Sequence, residues 1–223
     1  MGAAASILTR YRRYFNISGM LRLTRPEQSA QNRQRVLDVA GKLFRRNGFH
    51  GATLEQIADR AGFSKGVIYS QFGSKDDLFL ALMEQRMDWR IGQALELVRN
   101  APAETALRMF VEQARGVQEA DVPWMLLSLE FRIHAARTPD LNRRYAALHR
   151  RTLDGLAQIF SLLASKAGIK LRYEAVDFAR LVAALDSGAV LEGLVEGPGS
   201  AFEVAHHAVW LVLRESATGP SKR

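Results

Sequence analysis

The chain has 223 residues, 48% of them hydrophobic and 24% charged, with no cysteine and a formal net charge of +8. That length holds one large domain or two small ones around a sizeable core. The missing cysteines exclude disulfides, thiol catalysis and cysteine-based zinc or iron–sulfur sites, and no apolar run is long enough to argue for a membrane span.

The charge is uneven. Residues 1–86 carry 14 Lys/Arg against 7 Asp/Glu, whereas residues 87–223 carry 17 against 16. A basic end on a nearly neutral body points to a polyanion-binding end and a body with another task; solubility alone is the competing reading. Residues 1–26 read as a basic, disordered arm, with Arg10, Arg12, Arg13, Arg22 and Arg25 and no clear helical stripe. The arm lacks the apolar stretch of a secretory signal. Its opening, MGAAAS, formally matches a myristoylation pattern through Gly2 and Ser6, but so short a pattern recurs by chance. The arm either adds phosphate contacts or reaches a minor groove, or it precedes a true start at Met20.

From Glu27 to Arg46, Val36, Leu37, Ala40, Leu43 and Phe44 recur on one face of a helix, and Gly48 is its expected stop. Thr53 opens a second helix, with Gln56 three residues on in a capping-box pattern and Leu54, Ile57, Ala58 and Ala61 facing inward. Gly62 supplies the positive φ that a tight turn needs. Ser64 sits at the cap of a third helix, with Ile68 and Phe72 packing inward. Ser74 then caps a fourth, with Asp76 and Asp77 in its first turn. Two short helices joined by a glycine turn form a helix-turn-helix, a device that lays its second helix in the DNA major groove.

Beyond this point the pattern is helical throughout, with helices expected near 75–99, 103–118, 122–137, 140–167, 173–195 and 201–216. The breaks fall at Asn100-Ala-Pro102, Asp121-Val-Pro123, Thr138-Pro139, Gly168 and Gly197-Pro-Gly199. No useful β alternation and no internal repeat occurs.

The run RVLDVAGKLFRRNGFHGATLEQIADRAGFSKGVIYSQFGSKDDLF closely resembles the N-terminal DNA-binding domain of the TetR (tetracycline-repressor-like) family of bacterial transcriptional regulators. The match covers roughly residues 33–80 without a gap, through the pattern AG-x-S-x-G, a Tyr and then F-x-SK. The resemblance implies an all-α protein. Its three-helix DNA-binding domain would span 27–76, and a helical ligand-binding and dimerisation bundle 77–223.

It also implies phosphate contacts from Thr53, Tyr69 and Lys75, with Ser64, Lys65, Gly66, Val67, Ser70 and Gln71 on the recognition helix and its N-terminal turn. In chemical terms, Gly66 lets the backbone approach a duplex, Lys65 suits guanine O6/N7 or a phosphate, and Gln71 suits adenine. Val67 and Gln71 depart from the commonest family pattern, where a small or hydroxyl residue and a His or Tyr are usual. The operator sequence is therefore not inferred.

In the body, Ala201, Val204, Ala205, Ala208, Val209 and Val212 form a stripe of small and β-branched side chains. Ala184, Ser187, Gly188, Leu191 and Val195 lie on the helix before it. Two such helices from each chain pair naturally as a four-helix dimer interface; internal packing is the alternative. Aromatic and Met-rich positions, namely Met109, Phe110, Trp124, Met125, Phe131, His134, Tyr145, His149 and Phe178, are candidates for the lining of a site for a small, largely apolar ligand. Ordinary core is the competing reading for each of them.

No metal site is expected from His134 and His149, no cofactor is implied, and no enzymatic constellation stands. GLVEGPG at 193–199 lacks the lysine and Ser/Thr of a phosphate loop. The expectation is a cytoplasmic, homodimeric, effector-responsive regulator of double-stranded operator DNA, a repressor, with no membrane partner. An activator or a ligand-independent DNA-binding factor of the same fold is the alternative.

Overall fold

A computed structural model of the protein describes residues 24–196, 203–205 and 207–208, apart from the side chains of 113–120 and of Glu196. The expected arm lies almost wholly outside these residues, as does much of the last expected helix. The long helices are α1 (Arg25–Gly51), α4 (Lys75–Asn100), α5 (Ala103–Ala136), α6 (Pro139–Ala167) and α7 (Ala175–Glu196); α2 (Leu54–Ala61) and α3 (Lys65–Phe72) are short. Residues 203–205 and 207–208 are also helical.

Helix α1 starts two residues before the expected Glu27. Thr24 forms a capping box, its N–H donating to the Glu27 carboxylate at 2.9 Å, and a proline sits in the first turn. The helix is interrupted at Gly48, where φ is 74° and ψ 172°, a conformation that strains any residue with a Cβ. The turn after Gly48 is held from outside. The Glu130 carboxylate of α5 accepts the Phe49 N–H at 2.9 Å and the His50 N–H at 3.2 Å.

The core of α1, α2 and α3 does not stop at residue 76. Val36, Phe44, Phe49, Ile57 and Ile68 pack in one cluster with Phe79 of α4, Trp124, Leu127 and Phe131 of α5 and Tyr145 of α6. At its centre the Phe131 ring lies 4.4 Å from that of Phe79 and 5.0 Å from that of Phe49. A second cluster, with Val98, Ala106, Leu153, Ile159, Phe160 and Phe178, holds the far half of the body. Between the two, α6 and α4 approach closely. A Cβ on buried Gly155 would lie 2.5 Å from Ile91 Cδ1.

The expected break at Asp121-Val-Pro123 is absent, and α5 runs unbroken from Ala103 to Ala136 with Pro123 inside it. An internal proline costs a helix about 3 kcal/mol. Tertiary anchors on both sides offset that cost. Buried Asp121 pairs with Arg86 of α4, while Trp124 is buried against Phe79 and beneath the Arg86 guanidinium. No helix among the described residues is long and apolar enough to cross a membrane.

Candidate nucleic-acid interface and effector cavity

The helix-turn-helix is built by local chemistry. Thr53 and Gln56 exchange capping hydrogen bonds, Gln56 N–H to Thr53 Oγ1 at 3.2 Å and Thr53 N–H to Gln56 Oε1 at 3.3 Å. Gly62 closes α2 in the left-handed region (φ 74°, ψ 34°), its N–H reaching the Ala58 and Asp59 carbonyls. Buried Ile68 and Phe72, one turn apart, fasten α3 to the core. The Arg33 guanidinium of α1 lies 4.2 Å above the Phe72 ring and donates to the Gln71 carbonyl, which pins the far end of α3.

With that inner face fixed, Lys65, Gly66, Tyr69 and Ser70 are exposed, and Val67 is half-buried. Thr53 and Ser64 are exposed as well. Ser64 occupies the N-cap position, yet its hydroxyl makes no capping bond. A Cβ on Gly66 would meet nothing nearer than Ser64 Oγ at 3.8 Å. No protein neighbour therefore demands a glycine there. Lys65 pairs with Glu55 of α2, which lowers the Glu55 pKa and raises that of Lys65. Its Nζ lies 5.6 Å from the Tyr69 ring.

Two expected contact residues face inward. Lys75 Nζ donates to the carbonyls of Phe49 and Ala52 at 3.0 and 3.1 Å and lies 4.5 Å from the Phe49 ring centre; burial lowers its pKa. Gln71 is half-buried, its Oε1 buried without a hydrogen-bond partner.

In the body, α4, α5, α6 and α7 line a half-open cavity of about 160 Å³. Of the nine residues expected to line a ligand site, Trp124, Met125, Tyr145 and His149 do so. Met109, Phe110 and Phe178 belong to the second core instead, and Phe131 is fully buried in the first. His134 is drawn instead to the start of α4 and the end of α1, its Nε2 3.1 Å from Asp76 Oδ1 and its ring 5.2 Å from that of His50.

Periodicity missed the polar lining: Arg90, Arg132, Ser128, Thr152 and Asp186. Charged residues at helical spacing read as solvated faces, and only the packing of four helices brings these together. Arg132 Nε donates to the Tyr145 hydroxyl at 3.2 Å. His149 stacks parallel to the Tyr145 ring, and its pKa is lowered by burial, then by Arg132 and Arg180.

Of the residues expected at a dimer interface, Ala184, Gly188, Leu191, Val195 and Val204 are exposed, Val195 at 85% and Val204 at 70%. Leu181 and Leu194 extend this apolar face. Ser187 instead borders the cavity, Ala205 is buried and Ala208 half-buried. Ala201, Val209 and Val212 lie outside the described residues.

Comparison with known proteins matches the geometry. The sequence profile of bacterial regulatory proteins, tetR family, fits residues 36–82, and that of the BetI-type transcriptional repressor C-terminal domain fits residues 102–213, half of the chain. The chain is 42% identical over 67 residues to the transcriptional activator FasR of Mycolicibacterium smegmatis, a stretch covering 30% of this chain and 29% of that protein. It is 27% identical over 135 residues to the transcriptional repressor AcnR of Corynebacterium efficiens, covering 60% and 65% of the two chains. The chain thus spans less than two thirds of the length of either curated relative.

Among solved structures, a TetR-family regulator from Mesorhizobium loti superposes with a TM-score of 0.66 at 22% identity, over 88% of this chain and all of that one. The Bacillus subtilis regulator FadR in complex with stearoyl-CoA gives 0.63 at 18% identity, over 81% and 97%. At these identities the likeness speaks for the fold alone.

Proposed function

From the chain's membership of the TetR family of bacterial transcriptional regulators, which are not enzymes, we propose that it represses transcription as a homodimer bound to a palindromic operator and is released by a small effector. The observation that carries this reading is the outward face of α3: Lys65, Gly66, Tyr69 and Ser70 stand exposed in a row while Ile68 and Phe72 anchor the opposite side. Such a helix offers base-edge donors, a close-approach point and an aromatic ring for the backbone.

The reader is residues 27–76 and the effector-binding, dimerising body 77–223. Thr53 and Tyr69 serve phosphates; Ser64, Lys65, Gly66, Val67 and Ser70 line the groove-facing side. Gln71 joins them by turning its orphaned amide outward, since an unpaired buried acceptor costs roughly 1–3 kcal/mol. Lys75 acts first as a cap on the turn after Gly48.

Effector and operator communicate through α5 as well as through the connecting helix α4. One side of α5 gives Trp124, Met125, Ser128, Leu129 and Arg132 to the cavity, while Glu130, Phe131 and His134 hold the reader. A ligand that favours one position of α5 over another biases the spacing of the two reading helices, and only such a difference in affinity releases DNA. The test is a gel shift with the intergenic DNA upstream of the chain's own gene. Selective retardation at physiological salt supports the proposal, and equal retardation of random DNA sinks it. Reporter output in a deletion strain then separates repression from activation, the role named for FasR.

A further inference from the structure

We propose that the effector held between α4, α5, α6 and α7 is a small monocarboxylate, a single ring or short chain whose carboxylate binds Arg132. This inference rests on reading the chain as an effector-responsive regulator and names the chemistry of that same cavity.

Size comes first. The cavity holds about 160 Å³, close to the roughly 150 Å³ that accommodates one benzene ring. The long acyl chain carried by the ligand of FadR is far larger. The apolar wall, with Met83, Met87, Met125 and Leu148, is soft and adapts to ring or chain.

Charge comes second. Arg132 lines the cavity and gives its hydrogen bonds to neutral oxygens, the Tyr145 hydroxyl at 3.2 Å and Ser187 Oγ at 3.5 Å. No ion pair among the described residues engages it. Arg90, the other lining cation, stands 3.8 Å from Asp121 and is attracted to Asp186. Burial, then Arg132 and Arg180, push the His149 pKa down, away from the charged form. The wall therefore presents one guanidinium fork without a carboxylate, in a partly desolvated site where a charge-assisted, bidentate pair is strongest. Asp186 repels a second negative charge, and the arginines repel a cationic ligand. Trp124 lines the same space through its ring system.

Titration calorimetry of the full-length protein with benzoate, benzamide and benzyltrimethylammonium tests this, alongside Arg132→Met and Arg132→Lys. Benzoate is expected to bind the wild type at least about tenfold more tightly than benzamide, because only the acid forms a charge-assisted pair with the guanidinium. Arg132→Met should abolish that preference and Arg132→Lys restore part of it. Equal affinity for acid and amide, preference for the ammonium, or no binding of benzoate, cinnamate and hexanoate overturns the proposal. The wild-type series decides even if the methionine variant does not fold. A gel shift on the same samples separates the two levels. Selective DNA binding without carboxylate preference removes this inference alone, whereas loss of selective DNA binding removes the regulator reading beneath it.

Discussion

Two helices of this molecule turn a row of side chains to solvent, and the rows differ in kind. On α3 the row is Lys65, Gly66, Tyr69 and Ser70, polar and wet. On α7 it is Leu181, Leu191, Leu194 and Val195. A surface that must stand in water between encounters, and then meet a hydrated polyanion, is built from polar groups. An apolar row running along most of one helix is a poor surface for a lone molecule and a good one for a lasting partner. The difference is what the proposed roles require, α3 for reversible contact with DNA and α7 for a second copy of the chain.

The sharpest way to break this contrast is to charge the apolar row. Leu191→Asp combined with Leu194→Asp should give a monomer in size-exclusion chromatography with light scattering. Operator affinity should fall by about 10²–10⁴-fold, because the second half-site is no longer tethered. A dimer that survives both changes would free α7 of its assigned role.

Phe131→Ala addresses whether reader and body are one unit. Phe131 is fully buried among Phe49, Phe79 and Tyr145, so its truncation should cost about 3–5 kcal/mol. Calorimetry should still record one transition, lowered as a whole. Separate melting of the first three helices would contradict the shared core.

Gly66→Ala isolates the α3 row from stability. No protein atom crowds a Cβ there, so folding should be unchanged or favoured by up to about 1 kcal/mol from helix propensity. Operator affinity should nevertheless drop, by about tenfold for the loss of one good contact, measured by fluorescence anisotropy. Unchanged affinity would take the backbone approach out of the reading.

The smallest effect concerns pH. Burial, then Arg132 and Arg180, hold the pKa of folded His149 below the ordinary histidine value. The unfolded chain therefore binds the proton more readily, and stability falls as pH drops through the ordinary histidine range. His149→Gln should flatten the pH dependence of the melting temperature on that acidic side. A steeper dependence would reverse the sign assigned to this group.

What was legible in the sequence was whatever neighbouring residues settle among themselves. The Thr53–Gln56 capping box, the left-handed Gly62 and the buried pair Ile68 and Phe72 are all local, and each stands as read. The break at Pro123 was a local inference overruled from a distance, by Arg86 on Asp121 and Phe79 on Trp124. Lys75 and Gln71 show the same limit. Their positions on the chain were clear, but the carbonyls of Phe49 and Ala52 and the half-buried setting of the Gln71 amide decide where they point. The cavity was least legible. Arg90, Arg132 and Asp186 come from three helices, and no spacing rule joins them.

The most direct measurement is a hydroxyl-radical footprint of the full-length protein on its upstream DNA. Two symmetric protected patches with centres about 34 Å apart, or a whole-turn multiple of that distance, are predicted. Each should be lost when Lys65 and Tyr69 are both replaced by alanine. A single unpaired patch, or a footprint indifferent to those two side chains, would contradict the account of α3 as the reading surface of a two-fold assembly.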